Sequence, residues 1–110
     1  MSTAVLTLTE ATFDEEITVS PVPVVVEFWA PWCPPCKMMA PMLNSLADEL
    51  PNRLRVGKVD VDEHPELAAR YDVVSVPTFL VFTDGELRRR MVGARSRAQL
   101  LDDVGVSVSR

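Results

Sequence analysis

The spacing of apolar and polar positions changes period several times along this chain. "TAVLTLT" (3–9) alternates every second residue and predicts a strand. "EATFDEEIT" (10–18) sets Phe13 and Ile17 four apart and predicts a short helix with Thr9 as its N-cap. "SPVP" is a loop. In "VVVEFW" (24–29), Val24, Val26 and Phe28 face one way and Val25, Glu27 and Trp29 the other, and both sets are largely apolar. That pattern predicts a central strand covered on both faces. A helix follows from about Pro34 to about Leu50, with Met39, Leu43, Leu46 and Leu50 as its apolar stripe. "RLRVGKVDV" (53–61) predicts another strand. "HPELAARYD" (64–72) predicts a short helix with Pro65 near its first position, where a missing N–H costs little.

The last third of the chain holds a hairpin and a helix. "TFLVFT" and "ELRRRMV" flank Asp84-Gly85, a strong two-residue turn signal. Ser96 and Gln99 match a capping box and open a helix carrying Leu100, Leu101 and Val104. Gly105 is placed to end it, and the tail "VSVSR" (106–110) is expected to fray. The order is βαβαβαββα. Early βαβ crossovers imply parallel strands and the hairpin adds an antiparallel pair, so an α/β fold with a mixed, helix-covered sheet follows.

A length of 110 residues suits one domain, spanning 1–110. With 47% hydrophobic and 25% charged residues, the composition is that of a globular protein and not of a disordered one. No apolar run approaches the roughly 20 residues of a membrane-spanning helix. The first residues lack a basic start and turn acidic where a signal peptide is apolar, so no secretion signal is expected. A net charge of −5 argues against a broad nucleic-acid surface. The cluster Arg88, Arg89 and Arg90, followed by Arg95 and Arg97, reads first as a charged edge strand that discourages sheet-to-sheet association. A docking patch for an acidic partner is the other reading.

"WAPWCPPCKMMAP" (29–41) contains the chain's two cysteines, Cys33 and Cys36. Two cysteines without a signal suggest a reducing, cytoplasmic compartment, where a close pair is more often catalytic or metal-binding than a structural staple. Cys33 falls where the central strand ends and a helix begins, the end of the sheet where α/β proteins place reactive groups. Free N–H groups and the partial positive charge of a helix N-terminus favour a thiolate there, so Cys33 is expected to be the nucleophile. Cys36 lies one turn on, within bonding reach and expected to be the more buried sulfur. Cys33 would attack a substrate disulfide, and Cys36 would then release the reduced product. A structural zinc site needs about four ligands. Beyond these cysteines the chain offers only His64 and carboxylates, so no metal is expected. His64 reads as a polar residue at a helix entrance.

"FWAPWCPPCKMMAP", "SVPTFLVF", "DG" and "VGARS" together resemble the thioredoxin family, in order and along the whole length. The resemblance implies the thioredoxin fold, a central five-stranded sheet flanked by four helices. It implies a protein-disulfide reductase without bound cofactor that takes electrons from NADPH through a thioredoxin reductase. A monomer is expected by default. Thioredoxins are themselves the reference case for a lowered cysteine pKa in this motif, so that expectation is not independent of the resemblance.

Glu27 is a carboxylate in an apolar strand, and burial would raise its pKa. That suits a proton acceptor for Cys36, directly or through water. A strand-end residue bent towards solvent is the alternative. Thioredoxins usually carry aspartate here. Lys58 resembles the family's lysine near that carboxylate and is expected to pair with Glu27, unless it is an ordinary surface lysine. Pro77 matches the family's cis-proline facing the dithiol, which leaves the Val76 backbone free for an extended substrate. Trp32, Pro34, Pro35, Val61, Val76, Val92, Gly93 and Ala94 are expected to border the substrate groove. Core packing is the simpler reading of the valines, and backbone geometry that of Gly93. Pro41 is expected to kink its helix.

Two departures stand out. The family's usual Gly-Pro is Pro34-Pro35 here, which removes an N–H near Cys33 and stiffens the loop. Fewer donors favour a more reducing couple, while stiffness pushes either way. Pro31 replaces a residue that is often charged. Competing functions are a disulfide oxidant or isomerase, which usually has a histidine inside the Cys-X-X-Cys loop, and a non-catalytic thioredoxin-like binding module.

Overall fold

A computed structural model describes residues 4–106. Its elements follow the expected order: β1 (Leu6–Thr7), α1 (Phe13–Val19), β2 (Val24–Trp29), α2 (Pro34–Glu49), β3 (Arg55–Asp60), α3 (Pro65–Arg70), β4 (Thr78–Thr83), β5 (Glu86–Val92) and α4 (Arg97–Val104). The five strands form one sheet in the order β1-β3-β2-β4-β5. Strands β1 and β2 run parallel to β3, whereas β4 is antiparallel to both β2 and β5. This is the mixed sheet with four helices of the thioredoxin fold. Among the described residues, no helix is long and apolar enough to cross a membrane.

The two faces of β2 sort the core. Val24, Val26 and Phe28 pack with Phe13 and Ile17 of α1, Leu67 of α3, and Leu80 and Phe82. Tyr71 joins that layer, its ring centroid 5.5–6.2 Å from those of Phe13, Phe28 and Phe82 in tilted or edge-on contacts. On the opposite face Val25 packs with Met39, Leu43 and Leu46 of α2, Phe79, Val81, and Leu100 and Leu101 of α4. The period-two pattern of the strand and the 3.6-residue stripes of the helices therefore meet as complementary apolar faces.

Several boundaries differ from expectation. β1 pairs over two residues only, Leu6 with Gly57 and Thr7 with Lys58, because the chain then turns into α1. Thr3, included in the expected strand, and 107–110 of the tail lie outside the described residues. Thr9 is not the cap of α1. Its N–H donates to Thr12 Oγ1 at 3.1 Å and its carbonyl accepts from Phe13, forming a turn that delays the helix to Phe13. Thr12 takes the N-cap position without a side-chain cap bond. Leu50 is the C-cap of α2; it is half-buried and packs against the same core cluster as Met39, Leu43 and Leu46.

The turn chemistry is as expected. Asp84 and Gly85 have φ of 55° and 79°, the two positive values of a type I′ hairpin turn. Ser96 Oγ accepts from the Gln99 N–H at 3.1 Å, and Gln99 Oε1 accepts from the Ser96 N–H at 2.9 Å. Gly105 closes α4 in the left-handed region at φ 82°. β5 is an edge strand in which Arg88, Arg89 and Arg90 are all exposed, on alternating faces. Arg88 pairs with Glu86, Arg89 reaches Asp103, and Arg90 donates to the Tyr71 carbonyl. These local partners fit the charged-edge reading.

Candidate active site

The site is built at the carboxyl end of β2. The strand ends at Trp29, Ala30 is fully buried, and the chain turns so that the Cys33 N–H donates to the Ala30 carbonyl at 3.1 Å. Cys33 is the N-cap of α2. Pro34 and Pro35 occupy the first helical positions, where their fixed φ suits the helix and their missing N–H groups are not needed by its ladder. The first donor the helix presents is therefore the N–H of Cys36, and it points at Cys33 Sγ at 3.3 Å. Cys33 is thus helix cap and one half of the cysteine pair at once.

Cys33 and Cys36 are joined in a disulfide, with Cα atoms 5.3 Å apart. The expected difference in exposure between them is almost absent in this form: Cys33 is 3% exposed and Cys36 1%. Ala30, Trp29, Val61 and Val76 pack around both sulfurs and shield the outer one as well.

Glu27 is 1% exposed, and neither carboxylate oxygen has a hydrogen-bond partner among the described residues. It does not bend towards solvent. The register sets it beside Lys58 of β3, whose Nζ lies 3.8 Å from Glu27 Oε1. Burial raises the Glu27 pKa from 4.5 to about 7, and the Lys58 charge opposes that rise without cancelling it. Lys58 keeps contact with water and holds its ammonium 4.7 Å from the centroid of the Trp29 ring. A cleft of about 220 Å³ lined by Trp29, Lys58, Asp60, Glu63 and His64 adjoins the Lys58 side of this pair; Glu27 itself does not line it. His64 also faces Glu10, 3.5 Å away, at the entrance to α3.

The peptide bond between Val76 and Pro77 is cis. Val76 packs on the dithiol and precedes the register of β4, which begins at Thr78. Gly93 donates its N–H to the Pro77 carbonyl at 2.8 Å, joining the end of β5 to this loop. Its φ is 100° and a Cβ there would meet nothing within 4 Å. Backbone conformation, not space, therefore explains this glycine.

Five of the expected groove residues line two depressions, and Pro34, Val92 and Gly93 line neither of them. Trp32, Val61 and Val76 border one of about 130 Å³ together with Val73, Val74 and Ser75. Trp32 is held there by its indole N–H, which donates to Asp62 Oδ2 at 2.9 Å. Pro35 and Ala94 border the other, about 310 Å³, together with Met38, Met39, Met42, Arg95, Ser96 and Arg97. Exposed Val92 lies at the strand end between Pro77 and Ala94. Pro34 is exposed at the helix start.

Sequence reasoning missed Met38, Met42, Asp62 and Asp103. Met38 and Met42 are four apart and off the core stripe of α2, a spacing that was readable. Asp103 is buried and accepts two hydrogen bonds from Arg95, each 3.0 Å, which ties the loop after β5 to α4. Nothing in the local sequence marks it, because its partners come from other elements.

The family model described as Thioredoxin matches residues 4–105. The chain is 46% identical over 100 residues to a thioredoxin of Acidithiobacillus ferridurans, covering 91% of this chain and 93% of that one. It is 46% identical over 101 residues to a thioredoxin of Mycobacterium tuberculosis, covering 92% and 87%. A bifunctional thioredoxin reductase/thioredoxin of Mycobacterium leprae is 47% identical over 97 residues; these are 88% of this chain and 21% of that protein.

Proposed function

The chain belongs to the thioredoxin family and is a thiol–disulfide oxidoreductase, and on that premise we propose how its residues divide the work. The observation that carries the reading is the bonded pair at the start of α2, with Cys33 Sγ accepting the first helix N–H. In the reduced protein that N–H and the helix field favour a Cys33 thiolate. The thiolate attacks one sulfur of a protein disulfide, forming a mixed disulfide and expelling the first substrate thiolate. Cys36 then passes its proton to the Glu27 carboxylate, directly or through water, and attacks Cys33 Sγ. The second substrate thiolate leaves, and the protein ends in the disulfide form described above. Two electrons move from the dithiol to the substrate.

Lys58 keeps the Glu27 titration near neutrality, where a group can both accept and return a proton. The Val76 backbone, outside the sheet register, pairs with an extended substrate segment beside Pro77. Trp32, Val61 and Val76 border one side of that segment, and Pro34, Pro35, Val92, Gly93 and Ala94 border the other. A single domain over 1–110, acting as a monomer in the cytoplasm, completes the reading. Electrons would come from NADPH through a thioredoxin reductase. The bifunctional relative, whose name joins those two activities, supports such a partner.

Insulin-disulfide reduction with a thioredoxin reductase and NADPH tests this. Cys33→Ser should abolish turnover, and Cys36→Ser should accumulate mixed disulfides through Cys33. Normal turnover in Cys33→Ser refutes the assignment. A redox titration separates reductase from oxidant: a potential near about −270 mV fits the former, and one near about −180 mV fits an oxidant or isomerase.

A further inference from the structure

Along α2 the methionines differ sharply in access to solvent. Met38 is 80% exposed, Met42 is half-buried and Met39 is 6% exposed. Met91, in β5, is 7% exposed. Met38 and Met42 stand one helical turn apart and join Met39, Pro35 and Ala94 in the 310 Å³ depression. Arg95 and Arg97 border that depression, but each is already paired, with Asp103 and Glu49. The surface left for a partner is therefore apolar and rich in thioether sulfur, and Pro35, which borders it, stands between the two cysteines in the chain.

We propose that Met38 is an oxidation site for hydroperoxides, and that its sulfoxide weakens docking of protein disulfides in this groove. The inference rests on the reading that substrates dock beside Pro35 and Ala94. In the reaction the Met38 sulfur attacks the distal peroxide oxygen and the O–O bond breaks. Sulfur is oxidised by two electrons to S=O, while the peroxide is reduced to water or an alcohol, which takes up the proton. A thioether that fills an apolar groove becomes a strong hydrogen-bond acceptor that must shed water when a partner docks. Among the methionines of the described residues exposure selects Met38, since Met42 is half-buried and Met39 and Met91 are packed away.

The dithiol and Met38 respond differently to peroxide. Both cysteines of the chain are engaged in the disulfide, so peroxide has no thiol to attack in this form. A later thiol reductant restores the dithiol and leaves the sulfoxide in place. Oxidation at Met38 therefore marks the protein without consuming its reactive pair.

The test begins with the disulfide form treated with hydrogen peroxide and mapped by peptide mass spectrometry. Of the four methionines within the described residues, Met38 should gain oxygen first, Met42 next, and Met39 and Met91 last. After reduction with dithiothreitol and its removal, KM for insulin should rise about five- to tenfold. The rate with a small aromatic disulfide, which needs no groove, should change by less than about twofold. Met38→Leu should show the same KM before and after peroxide. Earlier oxidation at Met39 or Met91, or a treated Met38→Leu with the same rise, overturns the proposal. Unoxidised Met38→Gln separates the two layers of the argument. If its KM for insulin does not rise, the docking reading fails and the proposal falls with it. If it rises while Met38-oxidised protein stays normal, the proposal alone fails.

Discussion

Replacing Glu27 with glutamine should remove a pH-dependent loss of stability that the carboxylate imposes. In the unfolded chain this group titrates near 4.5, and in the folded protein near 7. Below pH 4.5 it is protonated in both states and contributes no difference. Between those values the unfolded chain releases the proton while the folded protein retains it. Each pH unit therefore favours unfolding by about 1.36 kcal/mol. Above pH 7 both states are ionised and the loss levels off. The gap between 4.5 and about 7 corresponds to about 3 kcal/mol, a large share of the roughly 5–15 kcal/mol that holds a domain together. The amide in Glu27→Gln leaves a buried polar group of similar size, so its own cost does not vary with pH. Guanidinium unfolding of the disulfide form, for both proteins at intervals from pH 4 to 8.5, isolates the effect, because the other titrating groups are shared. The variant's advantage should grow by about 3 kcal/mol across the interval and then stay level. A difference constant to within about 0.5 kcal/mol would mean that Glu27 ionises as freely inside the protein as outside, and the burial argument would be wrong.

Three further outcomes follow from named contacts. Lys58→Met removes the charge that opposes the effect of burial on Glu27, so the carboxyl titration, followed by carbon NMR, should move above 7. Arg95→Met leaves the buried Asp103 with Arg89, 3.5 Å away. Denaturation should show a loss of about 2–3 kcal/mol, less than the roughly 3–5 kcal/mol of a fully orphaned buried charge. Gly57→Ala would set a Cβ 2.5 Å from Leu8 Cδ1 and 3.2 Å from its Cγ, in a fully packed region. A loss of about 1–3 kcal/mol is expected in the same measurement.

Much of this architecture was readable because each element carries its own local cause. The two apolar faces of "VVVEFW" required cover on both sides, and α1 with α3, and α2 with α4, supply it. Asp84-Gly85 and the Ser96–Gln99 box are short-range signals that need no tertiary partner. The start of α1 was misplaced because Thr9 and Thr12 compete for the same turn, and the hydrogen bond from the Thr9 N–H to Thr12 Oγ1 decides it. At the site, the cysteine pair and the solitary carboxylate stood out against their neighbours. Asp103 did not, since the second acid of "DD" is distinguished only by Arg95 and Arg89 reaching it from elsewhere. Val61 and Val76 were legible as neighbours of the dithiol, but their burying Cys33 nearly as deeply as Cys36 was not. That shielding depends on their arrival from the ends of two other segments.

Because β2 has a parallel neighbour on one side and an antiparallel one on the other, the turn leaving β3 and the turn entering β4 meet above the same sulfurs. The loop leaving β5 joins the second of these turns, where the Gly93 N–H donates to the Pro77 carbonyl. Each turn hangs from a different ladder and can exchange side chains without moving any strand pairing. Under the docking proposed above, partner preference is therefore separable from electron exchange: the walls can be re-tailored one at a time around an unchanged pair of sulfurs.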